Sequence, residues 1–301
     1  MTFNEGGQFE GGRVRKGSGG RRGAVVGGGI GAIVVALLAV FLGGGDLGQL
    51  TGALSGAVQD AGAPVGDGQE QYVDACSAQE ANADRECRLS ATVQSLDAYW
   101  GRVLPEQAGV SYSLPPVESF SGSTTTACGA ASSATGPFYC PPDRTVYVDV
   151  SFFDQLSSQF GAEGGPLAEE YVVAHEVGHH VEQLTGAMDA AARGGSGPES
   201  DSVRIELMAD CLAGMWAGSA ATEVDPDTGV TFLDPISQDQ LRQALDAAAA
   251  VGDDRIQQQA TGQVDPEGFT HGTSEQRMRW FTVGYEGGTV QDCDALSART
   301  L

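Results

Sequence analysis

Apolar positions recur at helical spacing in three stretches of the chain. Between residues 166 and 186, Val172, Val173, Val177, Val181 and Leu184 mark a largely apolar helix, with Pro166 near its first turn and Gly186 closing it. The segment SVRIELMADCLAGMWAG, residues 202–218, reads as a second helix. Its Ala209, Ala213, Gly214 and Ala217 are small enough to let it approach the first closely. Leu89, Val93, Leu96, Tyr99 and Trp100, spaced at threes and fours, predict a third helix with these side chains in the core. Two capping boxes, Ser237 with Gln240 and Thr273 with Gln276, open further helices, the first running Ala-rich to Val251. TVYVDV, residues 145–150, alternates as a strand does, whereas residues 105–143, with Pro115, Pro116, Pro137, Pro141 and Pro142, read as loop-rich. The pattern predicts an α+β domain dominated by helices over residues 71–301.

Upstream of that domain the pattern changes. Residues 24–42, AVVGGGIGAIVVALLAVFL, form an uncharged run of 19 residues, about long enough to cross a bilayer as a helix. Arg13, Arg15, Lys16, Arg21 and Arg22 precede it, so residues 1–23 read as a basic cytoplasmic tail and the body as extracytoplasmic, in a single-pass protein of the cell membrane. No A-x-A pattern follows Leu42, which favours an uncleaved anchor over a signal peptide. Residues 43–70, rich in Gly, Ala, Ser and Asp, read as a flexible linker.

Charge and cysteine usage narrow the setting. The formal net charge is −24, and the basic first segment hides a still more acidic body, which phosphate backbones would repel; nucleic acid is excluded as a partner. The six cysteines include no C-x-x-C pair, which fits disulfides in an oxidising compartment. Cys76 with Cys87 and Cys128 with Cys140 are the natural local pairs, leaving Cys211 with Cys293, although six cysteines admit fifteen connectivities. Cys211 also reads as a small buried apolar residue.

The chemistry concentrates in AHEVGHHVEQ. His175 and His179 stand four apart with Glu176 between them, the HExxH arrangement of zinc-dependent peptidases. On a helix both imidazoles share a face about one turn, roughly 6 Å, apart, close enough to bind one ion. Three of the chain's four histidines sit here, in an apolar helix where unpaired imidazoles would be costly to bury. His180 falls off the ligand face and reads as a structural residue. Glu206, 27 residues after His179, would complete a His₂Glu site for one Zn²⁺ per chain, and Asp210, four further on, would accept a ring N–H from a ligating histidine. Glu176 is then free to serve as general base.

Five blocks taken together, FYCPPDRTVYVDVSFF, YVVAHEVGHHVEQLTG, SVRIELMADCLAGMWAG, VGDDRIQQQ and FTHGTSEQRMRWF, resemble the neutral zinc metallopeptidases of bacteria. The resemblance covers roughly residues 75 to 295 and implies a zincin-like peptidase domain, usually tethered to a membrane. It implies a peptide or protein substrate in the cell envelope. It places His271 at the cleft as a catalytic oxyanion donor, with Arg277 as a second candidate. It also points to residues 145–150 as an edge that pairs with extended substrate, beside the reading of a plain structural strand. Two other functions fit the same motif: an envelope binding module with structural zinc, and a zinc hydrolase of a non-peptide cell-wall amide.

Overall fold

The computed structural model describes residues 2–17, 70–192 and 195–301. At the amino end, β1 (Gln8–Phe9) and β2 (Arg15–Lys16) are followed by β3 (Gln71–Tyr72), β4 (Cys76–Ser77), α1 (Ala78–Ala83) and the long α2 (Arg85–Ala108). Short strands come next: β5 (Val117–Ser119), β6 (Ser123–Thr126), β7 (Gly129–Ser132), β8 (Phe138–Cys140) and β9 (Thr145–Val148). The remainder is helical, with α3 (Phe152–Ser158), α4 (Pro166–Thr185), the one-turn α5 (Ala187–Ala190), α6 (Asp201–Ala220), α7 (Gln238–Ala250), α8 (Asp253–Thr261) and α9 (Ser274–Tyr285). Among the described residues no helix is long and apolar enough to cross a membrane. The 24–42 span and nearly all of the 43–70 linker lie outside the described residues.

The helix ends follow their local chemistry. Pro166 sits in the first turn of α4, and Gly186 ends it at φ 82°, a left-handed conformation that glycine adopts without a Cβ clash. Both capping boxes form, at Ser237 on α7 and Thr273 on α9. The three-and-four spacing along α2 buries Leu89, Val93, Leu96 and Trp100 against the other helices. Trp216 of α6 is fully buried and donates from its indole N–H to Ser95 at 3.0 Å, so its polar atom is satisfied inside the core.

Helix α6 is central, packed between α4 and α9. Its small residues divide between the two neighbours. A Cβ on Gly178 of α4 would come within 3.0 Å of the Ala209 carbonyl oxygen, so Ala209 faces the metal-motif helix as expected. Gly214 faces α9 instead: a Cβ there would sit 2.0 Å from the Phe281 oxygen, and one on Gly284 would sit 1.9 Å from the Cys211 oxygen. Three disulfides join Cys76 to Cys87, Cys128 to Cys140 and Cys211 to Cys293, the last tying α6 to the carboxyl end.

The main sheet runs in the order β3-β2-β5-β9-β8. Strands β2, β5 and β9 are parallel, and β3 and β8 close the two sides antiparallel. The expected substrate-pairing edge at residues 145–150 is therefore corrected. β9 is an inner strand, buried along its length between β5 and β8, and the sheet ends at β8. The stretch expected to be loop-rich carries four short strands, because pairing with β9 and within the β6–β7 hairpin satisfies backbone groups despite the prolines.

A larger correction concerns the amino end. Residues 2–17 are part of the domain, not a separate basic tail, so the domain does not begin at residue 71. Phe3, Phe9 and Val14 are in the core, and the Phe3 and Phe9 rings meet edge to face at 5.1 Å. β1 pairs with β4, and β2 lies between β3 and β5. Arg13 pairs with Asp97 and Arg15 with Glu118, so two of the basic residues serve as structural partners.

Candidate metal centre

Helix α4 presents His175, Glu176 and His179 along one face, and α6 brings Glu206 opposite them. One ligand atom from each of His175, His179 and Glu206 lies within 4.8 Å of the others. His175 Nε2 is 3.2 Å from Glu206 Oε2, and His179 Nε2 is 3.6 Å from Glu206 Oε1. Around a tetrahedral zinc with bonds of about 2.0–2.1 Å, two ligand atoms stand about 3.4 Å apart, so these separations fit the ion.

The far side of each imidazole explains why Nε2 points inward. His175 Nδ1 meets Asp210 Oδ1 at 2.9 Å, and His179 Nδ1 meets Glu182 Oε2 at 2.8 Å. A carboxylate only accepts, so each Nδ1 carries a proton, which leaves Nε2, facing Glu206, as the nitrogen available to a metal ion. Three such atoms facing one another suit a metal ion, which would take the place of protons on the two Nε2 atoms. Without an ion, the same carboxylates favour a charged ring. Burial works against a charged His175, yet the charge and hydrogen bond of Asp210, with Glu206 behind them, push its pKa up to about 10. His179 is also raised: burial opposes its charge, and Glu182 and Glu206 outweigh that. For Glu206, burial is overcome by His271, His179 and His175, which hold the carboxyl well below its ordinary range.

Asp210 is itself held on three sides. It has no exposed surface, accepts from Tyr171 at 2.5 Å and from Arg277 at 2.8 and 3.0 Å, and keeps a lowered pKa because Arg277 and His175 outweigh its burial. Arg277 is thereby committed to a structural pair, and its expected part as an oxyanion donor is corrected. Glu182 was not anticipated. It lies three residues beyond His179 on the same helix, and that i, i+3 spacing was the available signal.

His271 does reach the site. It lines the cleft over the centre, close enough to Glu206 for each to shift the other's titration. The loop that carries it is organised by Asp253, at the start of α8. One oxygen of that carboxylate accepts from the backbone N–H groups of Thr270, His271 and Gly272 at 2.7, 2.6 and 2.9 Å. This accounts for the VGDDRIQQQ block, whose spacing alone carried no chemical signal. His180 turns away, bonded through Nε2 to the Ser113 carbonyl at 2.7 Å and through Nδ1 to the Tyr139 hydroxyl at 3.1 Å.

A cleft of about 610 Å³ opens over the ligand atoms. Glu176 lines it, 7 % exposed, and no hydrogen bond among the described residues engages its carboxylate. The centre thus consists of two imidazoles and a carboxylate ready for an ion, an unengaged carboxylate beside them, and an open approach. That combination is the donor arrangement of an HExxH metal centre.

Residues 4–296 match the family described as “Putative neutral zinc metallopeptidase”, and the chain belongs to that family. The uncharacterized protein Rv2575 of Mycobacterium tuberculosis is 52% identical over 222 residues, 74% of each chain. The uncharacterized protein YpfJ of Escherichia coli K12 is 39% identical over 272 residues, 89% of this chain and 86% of its own. No solved structure matches significantly. The family implies zinc, and the donor set suits that ion.

Proposed function

We propose that this protein hydrolyses peptide bonds as a zinc metallopeptidase, with His175, His179 and Glu206 as ligands and Glu176 as general base. The carrying observation is the unengaged Glu176 carboxylate in the cleft beside three convergent ligand atoms. A purely structural zinc site has no use for such a group. When bound, zinc supplies Lewis acidity that activates water and polarises the scissile carbonyl. Glu176 takes the proton of the attacking water and passes it to the leaving amine. His271, held by Asp253, donates to the oxyanion that develops. Asp210 and Glu182 keep both rings in the tautomer that leaves Nε2 free.

The substrate we propose is a peptide or protein of the cell envelope. Three disulfides support an oxidising, extracytoplasmic compartment. Because residues 2–17 fold with the domain, we assign them to the same extracytoplasmic side.

The test compares the zinc-loaded protein with Glu176→Gln by mass-spectrometric cleavage profiling of an unfolded protein mixture. Cleavage that vanishes in the variant while zinc is retained is the expected result. Equal cleavage by both would show the general-base assignment to be wrong. No cleavage by either at full zinc occupancy would favour a structural zinc or a non-peptide amide substrate.

A further inference from the structure

The cleft is polar at its metal floor and apolar on its walls. Phe138 of β8, Phe152 of α3, Phe160 just beyond it, Val172 of α4, Met188 of α5 and Ile256 of α8 all face it. Five elements or their ends thus contribute carbon surface to one cavity. Phe138, Phe152, Met188 and Ile256 are only partly buried, so their open faces meet whatever enters. The Phe152 and Phe160 rings stand 6.2 Å apart, and Phe152 packs over Gly136, where a Cβ would come within 3.1 Å of the ring. This wall is therefore seated by neighbouring backbone.

Charge sharpens the picture. The charged side chains lining the cleft belong to the metal centre or its supports, and Arg277, the only guanidinium or ammonium among them, is already paired with Asp210. No guanidinium or ammonium among the described lining residues remains for an acidic substrate side chain, and the protein's net charge of −24 repels one from a distance. The carboxylates of the cleft, Glu176, Glu206 and Asp253, stand at the metal centre or under the His271 loop, so a lysine or arginine side chain laid on the apolar wall would lose water without an anion there. A large apolar side chain loses nothing there and leaves water.

We propose that the cleft selects substrates by one large apolar side chain, aromatic or branched aliphatic, next to the bond that is cut. This rests on the peptidase reading above, and Phe152 and Ile256 are its specificity-determining residues. Since even a single methylene in such a pocket is worth roughly 10- to 200-fold in discrimination, kcat/KM for Phe or Leu at that position should exceed that for Ala, Asp or Lys by at least about 10-fold.

The experiment uses the full chain loaded with zinc and a peptide series differing only at the residue beside a mapped cleavage site. In parallel, zinc-loaded Glu176→Gln is titrated calorimetrically with the same uncleaved peptides and with N-acetylated Phe and Asp amides, which reads selectivity without turnover. Phe152→Ala should lower kcat/KM for the Phe peptide about 10-fold with zinc retained. Ile256→Lys should raise cleavage of the Asp peptide relative to the Phe peptide. Cleavage or binding that is flat across the series, or that favours charge, overturns the inference and leaves the peptidase reading standing. If nothing is cleaved at full zinc occupancy the peptidase reading fails, and calorimetric preference for the Phe amide over the Asp amide then decides whether the pocket is apolar-selective.

Discussion

Glu170 offers a quantitative test of the packing between the amino-terminal segment and the metal-motif helix. It lies on α4, has no exposed surface, and accepts from the Thr2 hydroxyl, while its other oxygen has no partner. Burial raises its pKa from 4.5 to about 7, against the smaller opposing effects of Thr2 and Arg88. A carboxyl whose folded pKa is raised holds its proton more tightly in the folded state than in the unfolded one. Its contribution is fully present below pH 4.5 and is lost as pH rises toward 7, after which the loss is constant. The rise from 4.5 to about 7 corresponds to about 3 kcal/mol in total, as an order of magnitude. Glu170→Gln keeps an acceptor for Thr2 and removes the charge. Its buried amide nitrogen would lack a partner, a penalty of about 1–3 kcal/mol, but that offset does not depend on pH. The quantity to measure is therefore the stability difference between variant and parent, by urea denaturation at pH 5 and at pH 8 with disulfides intact. The variant should gain about 2 to 3 kcal/mol on the parent between those pH values. Glu182, also raised to about 7 by burial, is present in both proteins and cancels. A difference that is the same at both pH values would mean that Glu170 is hydrated, and the docking of residues 2–17 would then be refuted.

Three further outcomes are expected. His179→Ala should abolish the one equivalent of zinc in the purified protein, while Glu182→Gln should weaken zinc about 10- to 100-fold in a competition titration with a chelator; full affinity in Glu182→Gln would remove it from the site. Lys16, the chain's single lysine, is exposed on β2, so a membrane-impermeant amine reagent should modify it in intact spheroplasts. Labelling that requires permeabilisation would put the amino end in the cytoplasm. Replacing both Cys211 and Cys293 by Ser, which opens a link between residues 82 apart in sequence, should cost about 2–5 kcal/mol in urea denaturation; an unchanged midpoint would show the bridge to be dispensable.

Much of the centre is legible in the sequence, because its signals are local. Four-residue spacing places His175 and His179 on one helix face whatever surrounds them, and the same rule pairs Glu206 with Asp210. Pro166, Gly186, Ser237 and Thr273 mark helix ends through bonds made within a turn, so those boundaries were readable too. The apolar period of α2 located its buried face for the same reason.

What the tertiary structure decided depends on partners far away in sequence. Strand β9 alternates like an edge strand, yet it is enclosed by β5 and β8, and no property of residues 145–150 alone reveals how many neighbours they acquire. Asp253 organises the His271 loop across 18 residues by accepting three backbone N–H groups, which are features of conformation and not of residue type. Arg277 had the charge for an oxyanion donor, but its position beside Asp210 commits it to holding a ligand's support. The amino end is the clearest case. Phe3, Phe9 and Val14 are isolated apolar residues in a glycine-rich, basic stretch with no helical or strand period, and only their packing with segments far along the chain, such as Val73 beside Val14 and Cys76 opposite Phe9, makes them core.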